Sequence, residues 1–213
     1  MWREIKVKIN NIVLEGTLAV PAGASGVVIF AHGSGSGRFS PRNVFVAEAL
    51  QKNGIATLLI DLLTEKEDEV YETRFNIDLL TERLGAVVAW IRKEPATKGL
   101  AVGLFGASTG AASALRIAAQ PGERIAAVVS RGGRPDLAMD ALPKVVSPTL
   151  LIVGGADFGV IELNEQALAA LRCEKKLEIV PGATHLFEEE DALEEVARLA
   201  ADWFTRFLTQ PNK

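Results

Sequence analysis

Three side chains stand in an order that suits acyl transfer: Ser108, then Asp157, then His185. A serine hydroxyl is a weak nucleophile at neutral pH and needs an adjacent base to take its proton. The chain has two histidines, His32 and His185. His185 ends the loop Gly182-Ala183-Thr184-His185 and is the candidate base. Asp157 closes Gly154-Gly155-Ala156-Asp157 and would orient the imidazole and stabilise its protonated form. Asp136 is the competing acid; Asp157 is preferred for its position at a strand end and for the nucleophile–acid–base order. The plainer readings are a surface histidine at 185 and a turn or helix-capping aspartate at 157.

The serine sits in Gly106-Ala107-Ser108-Thr109-Gly110, between an apolar run, Leu100 to Phe105, and a small-residue run, Ala111 to Ala119. On a strand, a tight turn and a helix, G-x-S-x-G exposes the serine hydroxyl at the carboxyl end of a sheet. Glycines two residues either side let strand and helix approach closely. Free N–H groups at the start of the helix favour a developing oxyanion. The backbone N–H groups of Ser34 and Thr109 are the expected donors, Ser34 from the loop His32-Gly33-Ser34-Gly35-Ser36-Gly37. His32 is expected to tie that loop in place. The loop lacks a P-loop lysine and the dinucleotide G-x-G-x-x-G spacing, which argues against a nucleotide cradle. Gly33, Phe158 and Phe187 are expected to contact substrate, with Phe39 and Phe75 as further pocket candidates. Arg38, Arg42, Arg131 and Arg134 suit either an acidic substrate or a solvated surface.

The elements that must position these groups are legible from periodicity. Glu4 to Ile9 alternates, Asn10-Asn11 turns, and Ile12 to Val20 returns, an antiparallel hairpin. Continuous apolar runs at Val27 to Ala31, Ile55 to Ile60, Leu100 to Phe105, Ile125 to Val129, Thr149 to Val153 and Leu177 to Val180 read as buried parallel strands. Helices are expected from Ser40-Pro41 to about 53, over 76–93, 111–119 and 161–171, and in a last helix opening among Glu188 to Asp191. Ser40 is the expected N-cap of the first. Glu65 to Glu69 reads as a solvated loop. The alternation predicts an α/β protein whose mostly parallel sheet, of about eight strands, is covered by helices on both faces.

At 213 residues the chain is expected to form one domain, 1–213. Net charge is −4 with no basic patch, which argues against nucleic acid as a partner. The single Cys173 allows no intrachain disulfide and fits a reducing cytoplasm. No signal peptide and no membrane span are recognised.

HGSGSG at 32–37, GASTG at 106–110, GGAD at 154–157 and GATH at 182–185 resemble the α/β-hydrolase superfamily, and within it the small dienelactone-hydrolase-like group without a cap domain. That resemblance implies an α/β-hydrolase fold and a hydrolase with neither metal nor organic cofactor. Dienelactone hydrolase itself carries a cysteine nucleophile, so Ser108 leans toward a serine esterase acting on small carboxylic esters. Lactone, thioester or amide cleavage on the same residues, and a non-catalytic binding module, are the alternatives. Only 18 residues, Arg131 to Pro148, separate two strands where a cap would be inserted, leaving room for a loop and one short helix. The expected assembly is a monomer or homodimer.

Overall fold

The computed structural model describes residues 2–208. Eight strands form one sheet: β1 (Trp2–Ile9), β2 (Ile12–Ala19), β3 (Gly26–Ala31), β4 (Ala56–Ile60), β5 (Ala101–Ala107), β6 (Ala127–Arg131), β7 (Thr149–Gly154) and β8 (Lys175–Val180). Their order across the sheet is β1-β2-β4-β3-β5-β6-β7-β8. The hairpin β1–β2 is antiparallel and joins antiparallel to β4; every other pairing is parallel. This is the α/β-hydrolase fold expected above, with no cap: two single 3₁₀ turns, Pro135–Ala138 and Leu142–Lys144, fill the space between β6 and β7.

Side chains alternate across each strand, so the central strands feed two cores. Val27, Ile29 and Leu104 pack under α3 (Ile77–Ile91), α4 (Thr109–Ala118) and α5 (Phe158–Ala170). Val28, Phe30 and Phe105 face α1 (Pro41–Lys52) and α6 (Ala192–Leu208). Phe30 and Phe105 stack on adjacent strands, ring centroids 4.8 Å apart. In α6, Val196, Ala197, Ala200, Phe204 and Leu208 supply the buried stripe. Each large apolar side chain buried this way contributes about 1.5–3 kcal/mol. No helix among the described residues is long and apolar enough to cross a membrane.

Two local expectations are corrected. The acidic stretch after β4 is a helical turn, α2 (Glu65–Asp68), followed by a 3₁₀ turn at Tyr71–Phe75. Thr64 and Glu67 form a reciprocal capping box that repays the turn's free N–H groups. Ser40 does precede α1, but its hydroxyl makes no capping bond.

Candidate active site

Ser108 occupies the single residue between β5 and α4, at φ 49° and ψ −120°. A side-chain-bearing residue in such a conformation costs on the order of 1–3 kcal/mol and persists only when its surroundings hold it. They do so through its own peptide groups. Ser108 N–H donates to the Arg131 carbonyl (3.2 Å), and the Ser108 carbonyl accepts from Arg134 N–H (3.0 Å). The flanking glycines make the turn sterically feasible. A Cβ on Gly106 would stand 2.4 Å from Ala111 Cα, and one on Gly110 would stand 2.1 Å from the Ala31 carbonyl oxygen.

Asp157 is the residue before α5, yet its side chain does not cap that helix. Its Oδ2 accepts from His185 Nδ1 at 2.6 Å. With Nδ1 donating, Nε2 carries the lone pair of a neutral base. Two backbone bonds lock the loops together: Gly155 N–H to the Val180 carbonyl (2.8 Å) and Ala156 N–H to the Ala183 carbonyl (2.9 Å). Asp136 is engaged elsewhere, in a two-pronged pair with Arg134 at 2.8 Å on each oxygen. Ser108 and His185 make no direct hydrogen bond in this structure. They meet on one rim through the Arg131-Gly132 step: the Arg131 carbonyl holds Ser108, and a Cβ on Gly132 would lie 3.5 Å from His185 Nδ1.

The expected oxyanion donors differ in state. Thr109 N–H heads α4 and has no intrahelical acceptor. Ser34 N–H, expected free, donates to the buried Thr109 Oγ1 at 3.0 Å. This bond ties the loop after β3 to the first residue of α4. Gly33 lies against Ser108, where a Cβ would stand 3.0 Å from Ser108 Cβ. His32 secures the same loop: its Nε2 accepts from Leu62 N–H (3.1 Å), so its Nδ1 donates to the Gly33 carbonyl (3.0 Å).

The aromatic expectations divide. Phe187 is only 1 % exposed and belongs to the core, so it lines no pocket; the chain turns at φ 57° there and folds the ring inward. Phe158, 77 % exposed, projects from the first turn of α5. Phe39 is exposed beneath the Arg38 guanidinium at 4.3 Å, and Phe75 stacks on Tyr71 at 5.0 Å. A groove of about 540 Å³ runs beside the elbow, lined from Ser34 through Arg42 and on its far wall by Asp61, Leu63 and Glu65.

The four arginines differ as well. Arg38 pairs with Asp61 and with Glu15, Arg134 with Asp136, and Arg42 with Glu188 at 3.1 Å. Arg131 is buried, and burial, reinforced by the nearby Arg42 charge, pushes its pKa down to about 10. Its Nη2 reaches the buried Asn43 Oδ1 at 3.3 Å. Asn43 escaped the sequence reading, although the signal was present. It stands at the start of the 43, 46, 47, 50 stripe that α1 buries, an amide where an apolar residue would be routine.

Two Mycobacterium tuberculosis proteins provisionally named phosphoribosyl transferases are 53% identical over 209 residues, which is 98% of this chain but 47% of theirs. The chain therefore spans about half the length of these curated relatives. The crystal structure of a dienelactone hydrolase from Anabaena variabilis superposes with a TM-score of 0.95 at 53% identity, covering 98% of both chains. Est1E from Butyrivibrio proteoclasticus shares the fold at 18% identity, with a TM-score of 0.84 over 97% of this chain and 99% of its own. The dienelactone hydrolase family model matches residues 14–210, a span that takes in the serine elbow, the aspartate–histidine pair and the loop after β3. This chain belongs to the dienelactone hydrolase family and has the α/β-hydrolase fold.

Proposed function

We propose that the chain is a serine hydrolase that cleaves small carboxylic esters by acyl transfer. The observation that carries this reading is that Ser108, held at positive φ on the elbow, shares one rim of the sheet with a His185 whose Nδ1 is committed to Asp157. In the proposed cycle, Ser108 Oγ attacks the ester carbonyl while His185 Nε2 takes its proton. The tetrahedral oxyanion is held by Thr109 N–H, and by Ser34 N–H once substrate displaces the Thr109 hydroxyl from it. The carbonyl re-forms, the alcohol leaves with the proton from His185, and water repeats the sequence to release the acid. Asp157 keeps the imidazole in the tautomer that can accept.

Lactones are a second reading, favoured by the dienelactone hydrolase family match and by the Anabaena variabilis relative. A lactone is a cyclic ester, and its opening uses the same steps with the alcohol tethered. The transferase name of the curated relatives belongs to longer proteins, of which the 209 matched residues make up 47%.

Treatment with a fluorophosphonate, followed by mapping of the adduct, tests the nucleophile. Labelling of Ser108 that is lost in His185→Ala supports the mechanism. A folded protein that remains unlabelled, or is labelled equally well without His185, overturns it.

A further inference from the structure

Two arginines are buried in this fold, and only one has a counter-ion. Arg83 donates to Glu67 Oε1 at 2.9 Å. Arg131, 6 % exposed, has no carboxylate within ion-pair distance among the described residues. Its partners are neutral: the Asn43 amide oxygen at 3.3 Å and the Phe187 ring at 5.8 Å. Its Nε has no hydrogen-bond partner, and neither does Nε of the neighbouring Arg42. The carboxylate of Arg42 is Glu188, whose side chain is mostly in solvent. An unpaired buried cation costs several kcal/mol, and a second cation beside it adds to the cost.

The positive end of α1 lies at the same point. Its first turn contains no acidic residue, and the Ser40 hydroxyl caps nothing. Arg42 and Asn43 stand in that turn, where backbone N–H groups lack intrahelical acceptors. Arg131 Nη2 points at this turn through Asn43. Two guanidinium groups, a free hydroxyl and an uncompensated helix N-terminus thus converge with nothing negative among them except the exposed Glu188.

We propose that Arg131, Arg42 and the first turn of α1 form a phosphate subsite, and that the substrate is an ester bearing a phosphate on its non-reacting part. The inference rests on the hydrolase reading for what the phosphate is attached to. Ser40, Pro41 and Arg42 line the groove of about 540 Å³, and its near end, at Ser34, lies one hydrogen bond from Thr109. A molecule seated along the groove reaches from the Ser34 loop to the first turn of α1, with Arg131 standing behind that turn at Asn43 rather than in the groove lining. Of the three acidic residues lining the groove, Asp61 is paired with Arg38 and Asp68 with Arg74 at 3.2 Å, while Glu65 forms no ion pair among the described residues. Phosphate suits the donor set better than carboxylate because three separate donors are present, two guanidinium groups and the start of α1. A phosphate monoester offers three oxygens and close to two charges, enough for both guanidinium groups and the helix end. A carboxylate offers two coplanar oxygens and is satisfied by one guanidinium fork.

Calorimetric titration of the full chain with inorganic phosphate, beside acetate, tests the subsite. Saturable phosphate binding is expected, at least ~10-fold tighter than acetate, and weakened ~10-fold or more in Arg42→Gln, the loss of a charge-assisted bond. Phosphate is also expected to inhibit hydrolysis of a neutral ester competitively. Arg131→Gln should abolish binding; should that variant fail to fold, Arg42→Gln, at a partly exposed position, decides alone. Absent saturable binding, equal affinity for acetate, or unchanged binding in Arg42→Gln would each overturn the proposal. The two readings separate cleanly. Ser108-dependent hydrolysis of a neutral ester without phosphate binding removes the subsite and leaves the hydrolase. Phosphate binding lost in Arg42→Gln, in a protein that hydrolyses no ester, supports the subsite and removes the hydrolase.

Discussion

Asp157 begins a helix and yet withholds its carboxylate from it: α5 starts uncapped, and Oδ2 is given instead to His185 Nδ1 at 2.6 Å. A capping bond contributes about 1 kcal/mol, so this helix forgoes ordinary stabilisation in favour of a fixed imidazole. Asp157→Asn should invert the outcome. An amide can donate to Nδ1 and strand the proton on Nε2. Turnover of an activated ester is expected to fall about 10⁴-fold, with the melting temperature little changed. Asp136→Asn, which breaks only a pair with Arg134, should alter turnover by no more than about a few-fold. Steady-state kinetics on the two variants checks this, and a larger loss in Asp136→Asn would reassign the acid.

The elbow should tolerate no side chain at Gly110. The atoms that a Cβ would strike belong to the backbone of β3 and cannot rotate away. Gly110→Ala is expected to cost about 3 kcal/mol or more, or to prevent folding. Gly159, in α5, has nothing within 4 Å of its own Cβ position, and Gly159→Ala should be neutral or stabilising by up to about 0.5 kcal/mol. Urea denaturation of both variants measures the contrast.

His32 is a joint between two loops. Removing its ring strands the Leu62 N–H in a buried place. His32→Ala should therefore cost about 1–3 kcal/mol in chemical denaturation. Because the Ser34 loop loses its tether, the rate of fluorophosphonate labelling at Ser108 should fall as well.

Glu67 sets a pH dependence in α2. Burial opposes its ionisation, but bonds from Thr64 and the charge of Arg83 outweigh burial and hold its pKa below the ordinary 4.5. A carboxyl depressed in the folded state stabilises the fold above its unfolded pKa, and that contribution is lost as pH falls through the folded value. Glu67→Gln should therefore melt below wild type at neutral pH. The gap should close as the solution is acidified through the carboxylate range, which thermal scans across pH will show. A gap that stays constant would mean that shape rather than charge holds this corner.

What was legible in the sequence was what depends on near neighbours in the chain. The Gly106–Gly110 pattern marks the elbow because its steric demand is local. The alternation of apolar runs with helical stripes gives the layers, and Asp157 and His185 follow from falling just past strand ends. Contacts between distant segments were not legible. Phe187 reads as a pocket residue by its position beside His185, but a positive φ turns it into the core. Ser34 reads as a free donor, but the hydroxyl that occupies its N–H lies 75 residues further on. The helical turn at α2 was missed for a different reason. Its capping box, Thr64-Glu65-Lys66-Glu67, is written in the sequence, but the surrounding acidic residues resemble a solvated loop.

The order of elements along the chain also sets an order in time. The loop after β3, the elbow after β5 and the aspartate after β7 precede β8 in the chain, and His185 follows it. A ribosome that has released residues only as far as α5 therefore exposes a serine at positive φ and an unpaired aspartate, with no His185 imidazole for either. Under the proposed mechanism such a nascent chain holds Ser108 without its base, and the site is complete only when the loop after the final strand brings His185 to Asp157.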